Sequence, residues 1–192
     1  MKKSLWSIWM LLLVLAGCTG QVAHEVPSSV PDTEEPARES RSERVEGDFV
    51  YRLVSEQGEY AAGEQVQLYA ELEYTGEEDE ITISHAASPF WFPIRELTRE
   101  YDISYGMNEP LLHTTLKKGE PLREYYKGAY GYNGEDNDAY KQFIKSLDNG
   151  FPEGRYVVYG SADFLVQAPE IEGEAEAPDV YKLTTEIEFV VK

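Results

Sequence analysis

Cysteine is nearly absent from this sequence, where Cys18 is the only one among 192 residues. A single thiol forms no internal disulfide and cannot supply the several cysteine ligands of a structural zinc site. Long apolar runs are also absent, because the run at 5–16 falls short of the roughly 20 apolar residues that span a bilayer. The sequence therefore predicts neither a disulfide-rich domain nor a membrane-spanning helix at that run.

Positive charge is scarce. The chain has 17 Lys and Arg against 36 Asp and Glu, which gives a formal net charge of −19. Such a charge opposes binding to nucleic acid, anionic headgroups and teichoic-acid-type polymers. We therefore expect no nucleic-acid partner, and a basic or divalent-cation-rich partner is favoured. The 42% hydrophobic content is enough for a folded core.

The N-terminal run has the features of an export signal. Two lysines precede it, and small residues end it directly before Cys18, as in a secretory signal with its cleavage site. The sequence Leu15, Ala16, Gly17 and Cys18 resembles the bacterial lipoprotein signal. This resemblance implies cleavage before Cys18 and diacylation of its thiol with fatty acids such as palmitate. Residues 1–17 are then the signal peptide.

The segment 18–47 has the composition of a tether. It contains Pro27, Pro31 and Pro36 with several serines and hardly any large apolar residue, so it cannot bury enough surface to fold. A flexible chain of this length spans roughly 30 Å on average. Two or three acyl chains anchor a protein lastingly, whereas one binds only marginally. We expect a domain held off the extracytoplasmic face of the cell membrane.

Residues 48–192 are predicted to form a β-rich domain. The clearest strand is 65–74, where alternate residues are apolar, as in an antiparallel strand that covers a core on one side. Residues 81–85 are predicted to be its partner strand, and 88–94 an edge segment that enters the core between two prolines. Residues 167–179 read as an acidic loop. Seven or eight short strands with turns between them favour a sandwich.

One helix interrupts the strand pattern. Tyr140, Phe143, Ile144 and Leu147 have the i, i+3, i+4, i+7 spacing of a buried helix face. The helix is predicted to start at a cap chosen from Asp136, Asn137 and Asp138 and to end at Asn149 and Gly150.

Three turn patterns resemble immunoglobulin-like modules of bacterial envelope proteins. They are Gly63-Glu64 before the alternating strand, Gly119-Glu120, and Gly154-Arg155-Tyr156 before a long strand. Tyr156 is predicted to form a tyrosine corner at a strand F position, with its hydroxyl bonded to upstream backbone.

Over about residues 58–166, the chain resembles the intracellular proteinase inhibitor (BsuPI-type) domain and small lipoproteins of bacilli. The resemblance implies an all-β, immunoglobulin-like antiparallel sandwich with one inserted helix, and a single-membrane bacterium. It also implies protease inhibition as an alternative function, although the inhibitor relatives are cytoplasmic and this chain carries an export signal.

Candidate metal and catalytic residues are few. His24 lies in the tether, while His85 and His113 have no His-x-x-x-His spacing and no free cysteine, so ordinary hydrogen-bonded histidines explain them better than zinc. The oxygen-rich loop at 133–138 lacks the glycine and glutamate of an EF-hand, and a helix N-cap explains the same residues without calcium. No Gly-x-Ser-x-Gly elbow is present. We predict no cofactor and no metal.

Aromatic residues form the candidate binding surface, which consists of Trp91, Tyr125, Tyr126, Tyr130 and Tyr132. Tyrosine beside glycine supplies rigid contact area at low entropic cost, as in recognition loops. The alternative is that these rings attach the inserted helix to the sandwich. We predict a non-enzymatic binding module with a protein partner. A hydrolase that uses two carboxylates is the least favoured alternative, because nothing selects a pair from so many acids.

The lipidation hypothesis predicts the behaviour of Cys18→Ser. This variant has no thiol to acylate, so the domain should be released or remain as uncleaved precursor, with its fold unchanged. Membrane fractionation with immunoblotting measures the outcome. A Cys18→Ser protein that stays processed and membrane-bound would contradict lipidation at Cys18.

Overall fold

A computed structural model describes residues 38–167 and 177–192. The signal peptide, the lipidation site Cys18, most of the predicted tether and most of the acidic loop lie outside the described residues. The described strands are β1 (Ser40–Glu46), β2 (Phe49–Ser55), β3 (Glu59–Tyr60), β4 (Leu68–Tyr74), β5 (Glu80–His85), β6 (Phe90–Trp91), β7 (Ile94–Glu96), β8 (Tyr101–Ile103), β9 (Leu112–Lys117), β10 (Leu122–Tyr125), β11 (Gly154–Val166) and β12 (Asp179–Val191). The helix α1 spans Asp138–Ser146, and a 3₁₀ turn follows at Leu147–Asn149.

The strands form two sheets that face each other across one apolar core. The first sheet has the order β1-β2-β4-β10 and the second has β3-β12-β11-β5-β9. Strands β2, β4 and β10 thus match A, B and E of an immunoglobulin-like sandwich, and β12, β11 and β5 match G, F and C. The predicted all-β sandwich with one inserted helix is confirmed.

Strand β11 is the centre of the second sheet. It pairs with β12 along all of its 13 residues, from Gly154 to Val166. Its other edge pairs in turn with β5, β6 and β7. Its inward side chains pack against those of β2. Tyr51 lies so close to Gly160 that a Cβ atom at this position would clash with the Tyr51 hydroxyl.

Strands β5 to β9 form one long hairpin that is open in its middle. His85 faces Leu112 at the β5–β9 ladder, and Ile94 faces Ile103 at the β7–β8 ladder. The residue numbers of each pair add up to the same value in both ladders, so both belong to a single register. Between them, 86–93 and 104–111 do not pair with each other as strands, and we call these two stretches the open segment. The expected edge segment 88–94 lies here, with Phe90, Phe92 and Ile94 buried in the core as predicted.

The buried carboxylate of Glu96 fixes the closed end of this hairpin. Its oxygens accept hydrogen bonds from the backbone N–H groups of Thr98, at 2.7 Å, and Arg99, at 2.6 Å. Glu100 then takes a left-handed conformation with φ of 59°, which is uncommon for a residue other than glycine. The bonds to Glu96 compensate for this strained turn.

The helix lies in the connection between β10 and β11, as predicted. Asn137 is its N-cap, because the side-chain oxygen accepts a hydrogen bond from the Tyr140 N–H at 2.8 Å. Phe143, Ile144 and Leu147 are buried against the sandwich. Gly150 has φ of 107° and ends the helical turns. In the described part of the chain, no helix has the length and apolarity to cross a membrane.

The predicted tyrosine corner is confirmed at the start of β11. The Tyr156 hydroxyl donates a hydrogen bond of 2.6 Å to the Pro152 carbonyl oxygen. The ring is fully buried and stacks on Phe189 of β12, with centroids 4.9 Å apart and planes within 8°. Burial raises the pKa of Tyr156, with a smaller contribution from Glu96.

Three expectations need correction. The domain begins before residue 48, because Ser40–Glu46 of the predicted tether pair with β2 through a two-residue turn. The sandwich is not wholly antiparallel, since β3 crosses to the second sheet and pairs in parallel with β12. Residues 81–85 do not pair with 65–74, because β4 already has β2 and β10 as neighbours and β5 belongs to the opposite sheet.

The tyrosine corner predicts a specific loss of stability in Tyr156→Phe. This change keeps the stacked ring but leaves the Pro152 carbonyl unpaired, so the free energy of unfolding should fall by about 1 kcal/mol. Tyr159→Phe is the matched control, because Tyr159 lies on the same strand and is 45% exposed. Urea denaturation of both variants measures the difference, and equal stabilities would contradict a role for the hydroxyl.

Candidate functional site

The five aromatic residues of the candidate binding surface lie in different surroundings. Tyr126 and Tyr130 are partly buried beside the inserted helix, whereas Tyr125 and Tyr132 are 44% and 45% exposed. Trp91 lies on the second sheet, where β6 pairs with β11. The structure therefore divides the predicted surface into packed rings and exposed rings.

Tyr126 and Tyr130 pack the insertion onto the sandwich. The Tyr126 ring contacts Phe92, Tyr105 and Phe151 at centroid distances of 5.8, 5.9 and 6.2 Å. The Tyr130 hydroxyl donates a hydrogen bond of 3.0 Å to Asp148. Burial raises the pKa of both phenols. These contacts match the alternative in which the rings attach the helix to the sandwich.

Tyr125 belongs to an ion-paired cluster on the outer face of the first sheet. Its ring lies 5.4 Å from that of Tyr69, over which the Arg123 guanidinium sits at 4.2 Å. Arg123 also donates hydrogen bonds of 2.6 and 2.9 Å to the buried Glu71, which holds the pKa of Arg123 above its usual value. The polar face predicted for 65–74 is thus covered by side chains from β10.

Tyr132 lines an open groove of about 620 Å³ between the insertion and β8. We call it the tyrosine groove, and its aromatic walls are Tyr101, Tyr132 and Tyr140. Among the described residues, no lysine or arginine lines it. Two of its three acids have internal partners, since Asp102 binds Arg95 at 2.9 Å and Asp136 accepts a hydrogen bond from the Asn133 N–H.

The oxygen-rich loop at 133–138 uses its side chains to shape the loop. The side-chain amide oxygen of Asn133 accepts hydrogen bonds from the backbone N–H groups of Glu135 and Asp136, and Asn137 caps the helix. Across the described residues, no three His, Cys, Asp or Glu side chains come together in a way that would hold a metal ion.

The two described histidines are hydrogen-bonded at the sheet. His85 is buried, with one ring nitrogen 2.8 Å from the Ala86 carbonyl oxygen and the other 2.8 Å from the Thr114 hydroxyl. His113 is paired with the Ser84 hydroxyl at 2.9 Å on the exposed face. These bonds match the expectation of ordinary hydrogen-bonded histidines.

Trp91 lines a second groove, of about 400 Å³, which we call the Trp91 groove. Outward residues of β11 and β12 contribute Asp163, Leu165 and Val180, and the open segment contributes Leu111. The exposed fractions are 68% for Leu111 and 74% for Val180, high values for large apolar side chains. Sequence reasoning missed both residues, because Leu111 read as part of a strand and Val180 stands beside an acidic loop.

Asp163 has an unusual position in the Trp91 groove. Its Oδ2 atom lies 3.0 Å from the Lys182 ammonium, while its Oδ1 atom is buried and has no hydrogen-bond partner in the described parts of the chain. Buried polar atoms nearly always have partners, so this oxygen is an exception. The carboxylate also raises the pKa of Tyr51, after the larger effect of burial.

The chain was compared with known families, curated proteins and solved structures, and none of them matches it. The described residues form several open grooves with aromatic side chains, among them the tyrosine groove, the Trp91 groove and one of about 550 Å³ lined by Tyr126 and Tyr130. Grooves of this kind suit the binding of a partner.

The packed and the exposed tyrosines predict losses of stability of different size when the ring is truncated. Tyr126→Ala removes a ring packed on Phe92 and Phe151, so the free energy of unfolding should fall by about 2 to 3 kcal/mol. Tyr132→Ala removes an exposed ring and should cost less than about 0.5 kcal/mol. Thermal and urea unfolding measure both, and a large loss for Tyr132→Ala would make it a packing residue as well.

Proposed function

We propose that this protein is a lipid-anchored lipoprotein on the extracytoplasmic face of the cell membrane, where it presents a non-catalytic binding module. The single observation that carries the proposal is the sequence Leu15, Ala16, Gly17 and Cys18 at the end of an export signal. Cys18 carries the acyl chains, and the chain up to β1 connects them to the sandwich.

Binding is favoured over catalysis by how the polar side chains around the grooves are used. Asp136 holds the 133–138 loop, Asp102 pairs with Arg95, and His85 has both ring nitrogens bonded. A general acid or base needs a proton-transfer partner within reach rather than a structural bond. Exposed aromatic and apolar side chains, such as Tyr132 and Leu111, instead supply contact area for a partner.

The partner we propose is a protein with a basic surface. The net charge of −19 steers positively charged partners toward the domain and repels anionic polymers. Processing before Cys18 would remove lysines of the signal and no acidic residue, so the mature chain is more acidic still.

In-cell crosslinking tests the binding role. A photoreactive amino acid at position 132 or 111 should give discrete crosslinked species in intact cells, because each position lies on the rim of a groove. Mass spectrometry of those species identifies the partner.

Position 45 is the matched control, because Val45 is an exposed apolar residue of β1, 57% accessible and outside both grooves. Crosslinks at 132 or 111 that are absent at 45 support a specific module. If the groove positions give no more product than position 45, the binding role is wrong.

A further inference from the structure

We propose that the Trp91 groove is the docking site of the module, and that it accepts a protein segment with an apolar side chain next to an arginine or lysine. This inference rests on the proposed function and names the chemistry of its partner. The apolar side chain contacts Trp91, Leu111 and Val180. The cationic group binds the acidic edge formed by Asp163 and Glu109.

The groove exists because the long hairpin is open. If β5–β9 and β7–β8 were joined by a continuous ladder, 104–111 would pair with 86–93 as strand. Instead Ala87 and Asn108 share one long backbone hydrogen bond of 3.2 Å, and Ser88 N–H points to the sulfur of Met107 at 3.4 Å. The released chain brings Glu109, Pro110 and Leu111 beside the outward face of β11 and β12.

The apolar part of the groove is exposed where a solvated sheet face is normally polar. Trp91 packs one edge against Tyr105, with centroids 6.0 Å apart, and remains partly accessible. Leu111 and Val180 flank the same groove with most of their surface in solvent. Contiguous exposed apolar surface of this kind marks interaction sites.

The polar part of the groove favours a cation. The Asp163 side chain is 31% exposed and its Oδ2 atom pairs with Lys182, whereas its Oδ1 atom is buried and inaccessible to solvent. Glu109 adds a second carboxylate and makes no ion pair within the described residues. With two acids against one lysine, the groove has an excess of negative charge, which a cationic donor neutralises.

An arginine or lysine side chain can contact the apolar part and the acidic part of the Trp91 groove at the same time. Their alkyl stems pack on apolar surface while the charged head reaches a carboxylate. A guanidinium also stacks favourably on an indole ring, and hydrogen bonds between ions are about twice as strong as neutral ones. The tyrosine groove is a weaker candidate for this role, because two of its three acids, Asp102 and Asp136, already have internal partners.

The fluorescence emission of Trp91 can be used to measure binding in this groove. The other tryptophans, Trp6 and Trp9, lie in the signal peptide, so the chain from residue 18 onward contains Trp91 alone. The protein used is the chain from residue 18 onward with Cys18→Ser, which removes the lipidated thiol and keeps the protein in solution. It contains all the described strands, which enclose one apolar core. The probe is a capped pentapeptide of alternating leucine and arginine, titrated while the Trp91 emission is recorded.

We expect a saturable change in emission with the leucine–arginine peptide. The counterpart with glutamine in place of arginine should bind at least about tenfold more weakly, and the counterpart with alanine in place of leucine should also lose affinity. Leu111→Ser with Val180→Ser should weaken binding about tenfold, and so should Asp163→Asn. Val45→Ser, an equivalent change on β1, should leave binding unchanged.

Several outcomes would overturn the inference. They are an unchanged emission, equal binding of the glutamine peptide, or equal weakening by Val45→Ser. Self-association that Leu111→Ser abolishes, without any peptide binding, would assign the groove to a second copy of the chain instead.

The peptide comparison needs no protein variant, so it stands even if Asp163→Asn fails to fold. If the protein is anchored and gives groove crosslinks in cells but shows no response to the peptide, this inference alone is wrong. If the wild-type protein is not attached to the membrane, the proposed function is wrong instead.

Discussion

The two hydrogen-bonding edges of β11 constrain the whole second sheet. A strand in the middle of a sandwich must have both edges paired, since unpaired buried N–H and C=O groups are costly. Strand β12 satisfies one edge without interruption, whereas three short strands share the other. More residues separate Ser84 from Phe90 than separate their partners on β11, Leu165 and Ala162. The chain between β5 and β6 must therefore bulge away from β11. That bulge separates the arms of the hairpin and leaves Trp91 beside an open groove.

Aromatic packing connects this sheet to the insertion between β10 and β11. Tyr156 fixes the start of β11 through its bond to Pro152 and its stack on Phe189, and Phe151 contacts both rings at 5.1 and 5.3 Å. Tyr126 extends the same cluster to the open segment through Tyr105. Much of the tyrosine in the described residues therefore holds the fold together, whereas Trp91 at the edge of this cluster and Tyr132 remain accessible to a partner.

Features encoded by neighbouring residues could be predicted from the sequence. The alternation at 65–74 gave the inward face of β4, the spacing of Tyr140, Phe143, Ile144 and Leu147 gave α1, and Pro152 to Tyr156 gave the tyrosine corner. Features set by distant pairing could not. β1 carries mostly exposed polar side chains and is held by backbone bonds to β2, so its residues have no apolar pattern. The Trp91 groove depends on the register of four strands, β5, β6, β11 and β12, and no local pattern connects Trp91 with Leu111 and Val180.

The position of β1 has a mechanical consequence. It is the first strand of the domain, it pairs with β2 from Ser40 to Glu46, and its Ser42 hydroxyl is 2.6 Å from that of Thr185 on β12. If the chain is anchored at Cys18 as proposed, a pull between the membrane and a bound partner enters the domain through this strand. The β1–β2 ladder lies at the sheet edge, so it would yield to force before the core does. The domain thus has an outer strand that can absorb tension while the groove and its surroundings keep their shape.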